Sequence, residues 1–121
     1  MKIIITSEGP GLTSQVDPRF GRAKHFVLFD TVTGEASSHD NAQNLNATQG
    51  AGIQAAQTVA QLGAEAVLTG HVGPKAFTTL QAANIAVYTA GATGTVNETI
   101  EQYKKGQLQL ATKANVEGHW A

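Results

Sequence analysis

The sequence predicts a single α/β domain built on an open mixed sheet of about five strands with flanking helices. Three observations carry this reading: a β-branched run at the start, a hairpin, and later strand-then-helix units punctuated by glycine. At 121 residues the chain makes one ordinary domain, large enough for a core without metal or disulfide staples.

Lys2–Thr6 (Lys-Ile-Ile-Ile-Thr) reads as a central strand, because β-branched residues suit a pleat buried on both faces. A long loop follows from Ser7 to about Lys24, carrying Gly9, Pro10, Gly11, Pro18 and Gly21. Loops of this length are usually functional or mobile. His25–Asp30 is the second strand, and Thr31-Val32-Thr33-Gly34 turns it into a more polar edge strand at Glu35–His39. An Asn-rich loop, Asp40–Thr48, leads to a helix over roughly Gln49–Leu62, with Ile53, Ala56, Val59, Ala60 and Leu62 expected inward and Gly63 as its stop.

Ala66-Val67-Leu68-Thr69 is a short apolar strand. The helix after it starts near Pro74, a residue suited to the first helical position, and sets Ala76, Phe77, Leu80 and Ala83 on one face. Ile85–Tyr88 is the fifth strand. Thr95-Val96-Asn97-Glu98 has capping-box spacing, and Val96, Ile100 and Tyr103 form the apolar stripe of a last helix ending at Gly106. Right-handed crossovers then put the loops after strands one, four and five at one end of the sheet. The domain is expected over residues 1–110, with 111–121 as a flexible tail of little apolar pattern.

Composition narrows the function. Charged residues make up 14% and the net charge is -1, which argues against a general nucleic-acid or membrane-surface binder. No apolar run has the length of a membrane span and no signal-peptide pattern opens the chain, so a soluble cytoplasmic protein is expected. Cysteine is absent. This excludes disulfides, thiolate nucleophiles and the usual ligands of zinc fingers and iron–sulfur clusters.

Candidate chemistry gathers in three loops. Gly70-His71-Val72-Gly73-Pro74-Lys75 joins a buried strand to a helix start, whose unpaired N–H groups and partial positive charge suit an anion, with His71 and Lys75 placed to assist. Gly91-Ala92-Thr93-Gly94-Thr95 is a second glycine-containing approach to a helix, placing Gly91, Thr93 and Gly94 beside its amides. Arg19, Arg22 and Lys24 put three of the eight basic residues within six positions. Together with Lys75 they would rim an amide-lined pocket; the plainer alternative is a solvated basic loop with ordinary turn glycines.

Other chemistries lack a signature. Neither Gly-x-x-x-x-Gly-Lys-Ser/Thr nor Gly-x-Gly-x-x-Gly occurs, and no Gly-x-Ser-x-Gly elbow is present. Asp17, Asp30, Asp40, Glu65, Glu98 and Glu101 show no clustered spacing. His25, His39, His71 and His119 are scattered, and only His71 has a loop position suited to a ligand.

The segment Asp17-Pro18-Arg19-Phe20-Gly21-Arg22-Ala23, with Gly50-Ala51-Gly52-Ile53, Gly63-Ala64-Glu65-Ala66-Val67-Leu68 and the Gly-His-Val-Gly-Pro loop, resembles the dinitrogenase iron–molybdenum cofactor biosynthesis family. The resemblance extends to about Gly106. It implies a ribonuclease-H-like fold and non-catalytic, non-covalent binding or carriage of a molybdenum–copper sulfide cluster or a related molybdenum or iron–sulfur cluster. Arg19, Phe20, Arg22, Lys24 and the glycine loops would hold it, with Asn44 and Gln49 adding side-chain amides. A cluster donor or acceptor protein is the implied partner, with no nucleic acid and no membrane. Some relatives place Cys in the loop after strand four, where this chain has Gly73-Pro74, so cysteine ligation is ruled out and direct ligation by His71 is left open. Two other readings stand beside this one. The same loops could serve a nucleotide- or phosphate-binding enzyme or regulator, or the polar edge strand could dock a protein partner.

Overall fold

The computed structural model describes residues 1–41, 50–89 and 94–115. Its strands are β1 (Lys2–Ser7), β2 (His25–Asp30), β3 (Ala36–Asp40), β4 (Ala66–Thr69), β5 (Ala86–Thr89) and β6 (Gln109–Leu110). The helices are α1 (Ala51–Gln61), α2 (Pro74–Ala82) and α3 (Val96–Lys104). The strands form one sheet in the order β3-β2-β1-β4-β5-β6. β1, β4 and β5 are mutually parallel, whereas β2, β3 and β6 join antiparallel. The mixed sheet therefore has six strands rather than about five. The additional one is two exposed residues, Gln109 and Leu110, paired to Thr89 and Tyr88.

The three isoleucines of β1 are fully buried because both faces of the sheet are covered. Ile4, Phe26, Val67 and Val87 pack beneath Val59 of α1 and Phe77 and Leu80 of α2. Ile3, Ile5, Val27 and Leu68 point the other way, beneath Val96 and Ile100 of α3. Alternation along each strand makes this division. On α1 the inward stripe is Ala51, Ala55, Ala56 and Val59; Ala60, expected inside, lies one step round the helix and is exposed. Ala83 likewise falls beyond the end of α2 and is exposed, while Ala76, Phe77 and Leu80 are buried as their spacing requires.

Two carboxylates close turns. At the β2–β3 hairpin Asp30 Oδ1 accepts the N–H groups of Val32 (2.8 Å) and Thr33 (3.3 Å), which hold its carboxyl below the ordinary aspartate value. At α3 the expected capping box is formed. Thr95 Oγ1 accepts the Glu98 N–H at 3.2 Å and Glu98 Oε1 accepts the Thr95 N–H at 2.9 Å. Those bonds favour the ionised Glu98, so its carboxyl titrates below the ordinary glutamate value of 4.5.

This cap is testable. Thr95→Ala should cost about 1 kcal/mol in denaturant unfolding, since it strands an N–H of the first turn. Because the folded-state value of Glu98 is depressed, its contribution is complete above pH 4.5 and is lost as pH falls through the lower folded value. Unfolding midpoints measured downward from about pH 5 should therefore fall less steeply for Glu98→Gln than for the natural chain.

Candidate functional site

The register gathers the chemistry at one end. β1, β4 and β5 finish there at Ser7, Thr69 and Thr89, and the antiparallel pairing sets His25 opposite Ser7 and Asp40 opposite His25. The loop 8–24, the turn 70–73 and the chain leaving Asp40 and Thr89 all depart from that edge.

Two helices start side by side here. A Cβ added to Gly52, the second residue of α1, would lie 3.0 Å from the Cβ of Ala76 in the first turn of α2. The missing side chain lets the two first turns abut. Neither N-cap, Gly50 or Gly73, supplies a side-chain hydrogen bond, and neither first turn contains an acidic residue. The amide donors and partial positive charges of both helices are thus directed to the same place. The third helix differs. Glu98 already provides an anion at the start of α3 and takes the Thr95 N–H. The amides that follow Gly94, expected to serve a ligand, already have partners: the Thr95 and Glu98 N–H groups in the cap, and those of Val96 and Asn97 in bonds to the Ser14 and Leu12 carbonyls. Gly94 has φ of 101°, which favours glycine, and its carbonyl accepts the Val16 N–H at 3.0 Å.

The first loop crosses the sheet end between the two faces. Its early part packs Leu12 and Val16 on the α3 side and bridges Gln15 to Thr95. Its later part packs Phe20 and Ala23 on the α1–α2 side and bridges Arg19 to His71. In that second bridge the His71 N–H donates to the Pro18 carbonyl at 2.6 Å and the Phe20 N–H donates to the His71 carbonyl at 3.1 Å. Gly70 allows the approach: a Cβ there would stand 2.8 Å from the Pro18 carbonyl oxygen. The missing side chain thus permits the loop to pack this closely.

Phe20, expected at the ligand, is 0% exposed, and its ring lies 6.0 Å from that of Phe26. It anchors the loop in the core because a phenyl ring is stabilised there by roughly 1.5–3 kcal/mol over water. Arg19 remains at the surface but is paired, its Nε 3.6 Å from Asp17 Oδ1. Arg22 is half-buried, whereas Lys24 and Lys75 are exposed. His71 is half-buried and Gly73 buried. Gly91, Thr93, Asn44 and Gln49 lie outside the described residues.

Two asparagines escaped the sequence reading. Asn41, buried at the end of β3, donates through Nδ2 to the carbonyls of Gly21 (3.2 Å) and Ala23 (2.8 Å). Asn115 holds the His71 turn from its far side. Its Nδ2 donates to the Gly70 carbonyl at 3.0 Å, its Oδ1 accepts the Val72 N–H at 2.8 Å, and its own N–H donates to the Val72 carbonyl at 3.2 Å. A lone asparagine carries no sequence signal for such a clamp. Ala111 and Asn115 are thus bonded to the sheet and the turn, although the sequence here has little apolar pattern. The flexible tail was expected to start at Ala111, whose N–H donates to the Val87 carbonyl at 2.8 Å.

The donor set suits an anion better than a bare metal ion. Among the described residues no three His, Asp or Glu side chains are grouped to hold a cation, and the chain has no cysteine. No helix among them is long and apolar enough to cross a membrane.

The family model described as dinitrogenase iron–molybdenum cofactor matches residues 1–106. The chain belongs to this family. It is similar to the apo form of the orange protein from Desulfovibrio gigas, with 46% identity and a TM-score of 0.91 over 95% of this chain and 96% of the other. A NifB-related structure from Thermotoga is 34% identical, with a TM-score of 0.84 over 97% of this chain and 98% of the other. A Methanocaldococcus jannaschii protein is 29% identical over 98 residues, 79% of this chain and 82% of its own. The fold expected from the resemblance is the fold observed. β6 and Asn115 lie beyond the family match.

Gly70→Ala should lower stability by about 1–3 kcal/mol in denaturant unfolding, because the added methyl collides with backbone that is itself bonded to His71. Gly11→Ala, where an added Cβ meets nothing within 4 Å, is the control and should change stability by less than about 0.5 kcal/mol.

Proposed function

We propose that the protein binds and carries an anionic metal–sulfur cluster that is assembled elsewhere, without performing chemistry on it. The observation that carries this reading is the pair of abutting helix starts at Gly52 and Ala76, neither with a side-chain cap or a first-turn acid, with Lys75 in the first turn of α2. Membership of the dinitrogenase iron–molybdenum cofactor family supports a role in binding or building such a cofactor. The finer reading is a molybdenum–copper sulfide cluster, held non-covalently.

The chemistry of such a cargo matches these residues. A thiometallate cluster is a polyanion whose metals are already saturated by sulfide, so it needs N–H donors and cations rather than side-chain ligands. Lys24, Lys75 and Arg22 would attract it from a distance, an effect that salt screens beyond about 10 Å at 0.1 M. The amides of the first turns of α1 and α2 would then hold its edge by charge-assisted hydrogen bonds, which salt weakens far less. His71 stands beside this surface as the one candidate for direct coordination. A single imidazole is a poor anchor for a saturated cluster, and electrostatic capture is the better account.

Tetrathiomolybdate and copper added to the purified protein should yield a stoichiometric complex with its own visible absorption. A spectrum identical to that of the reagents alone would overturn the reading. Replacing Arg19, Arg22 and Lys24 together by Gln should weaken binding about tenfold in dilute buffer and flatten its salt dependence. Lys24→Gln alone should barely move thermal unfolding, since an exposed loop charge adds little to stability, whereas the triple replacement removes the ion-pair partner of buried Asp17 and should lower the midpoint. His71→Ala should leave the visible spectrum of the complex unchanged.

A further inference from the structure

Asp17 is out of place at an anion site. It is 1% exposed and stands at the end of the sheet toward which two helix starts direct their positive charge. Its backbone is immobile: the N–H donates to the Thr6 carbonyl at 3.0 Å, and its carbonyl accepts the Thr6 hydroxyl at 2.7 Å. Oδ1 accepts the Arg19 N–H at 3.0 Å and faces Arg19 Nε at 3.6 Å. Oδ2 is buried and has no hydrogen-bond partner among the described residues. A buried carboxylate oxygen left so costs stability, and a group retained at a cost needs a reason.

Arg19 supplies the reason. Its side chain is 42% exposed, yet its contact with Asp17 is made through Nε, the guanidinium nitrogen nearest the main chain. A guanidinium held there keeps its outer edge, with one N–H from each Nη, for another partner. That edge is a flat two-pronged donor, matched to two terminal atoms on one tetrahedral centre. Lysine offers no such edge.

We propose that Asp17 is a positioning residue, which fixes Arg19 by Nε so that the paired Nη groups engage two terminal sulfur or oxygen atoms of a tetrahedral thio- or oxometallate. This rests on the carrier reading and adds to it a directional contact. The Asp17–Arg19 pair is neutral overall, so Arg19 contributes geometry here while Arg22, Lys24 and Lys75 contribute the attraction.

Charge and position make opposite predictions. Asp17→Asn removes a negative charge, which on electrostatics alone tightens the binding of any anion. If Asp17 positions Arg19, the same change loosens it. Titration calorimetry with tetrathiomolybdate at low salt should show Asp17→Asn binding at least about threefold more weakly than the natural chain. In an Arg19→Gln background the same substitution should cause no loss. Equal or tighter binding by Asp17→Asn in the natural background overturns the proposal. Arg19→Lys tests the fork without touching the buried position: binding should again weaken about threefold, and unchanged affinity overturns it. Failure of the natural chain itself to bind tetrathiomolybdate would instead count against the carrier reading. The clamp is then judged by proton NMR without ligand. Slow water exchange of the Arg19 Nε–H that becomes fast in Asp17→Asn upholds it, and equal exchange in both refutes it.

Discussion

The end of the sheet is organised by one close contact, that of Gly70 with the backbone of Pro18. Any side chain at Gly70 would stand 2.8 Å or so from the Pro18 carbonyl oxygen, which is closer than real Cβ atoms come. Because the hydrogen is there instead, the first loop forms a single parallel bridge, Arg19 to His71. That pairing commits the neighbours. Phe20 turns into the core, Arg19 turns to the surface, and Asp17 is sealed beneath the crossing. Asn115 holds the other side of the same turn, so the Gly70–Val72 backbone is bonded on both flanks. Such a turn presents His71 and the start of α2 without the entropic cost of ordering a loose loop on binding.

The three helix starts divide the labour by chemistry. α3 is closed by its own carboxylate, Glu98, and serves stability. α1 and α2 carry neither caps nor first-turn acids, and Gly52 brings them together. A helix with glycine at its N-cap is worth less to folding by about a few tenths of a kcal/mol than one with Ser, Thr, Asn or Asp there. Two such starts meeting beside Lys75, with no side-chain cap and no acid in either first turn, form a surface suited to an anion.

Much of the fold was legible because its signals are local. The β-branched run of β1, the Gly34 turn, the Thr95–Glu98 spacing and the Pro74 start each depend on residues a few positions apart, and each is formed. β6 was not legible, since two exposed residues at a sheet edge have no periodicity to read. The site was legible only in outline. The Gly70–Lys75 turn announced a helix start, but nothing local indicates that Gly52, more than twenty positions away, abuts Ala76. The burial of Phe20 has no local signal either: the crossing loop carries this aromatic into the core. Asn41 and Asn115 act through carbonyls distant in sequence, and such contacts leave no pattern.

The central claim is that the paired starts of α1 and α2, and not that of α3, receive the anion. Nitrogen-15 NMR during titration with tetrathiomolybdate tests it most directly. The amides of Gly52, Ile53, Lys75 and Ala76 should shift together and saturate at one equivalent, while those of Asn97, Glu98 and Thr99 stay in place. Shifts centred on the α3 start, or spread evenly over the exposed lysines without saturation, would contradict the account.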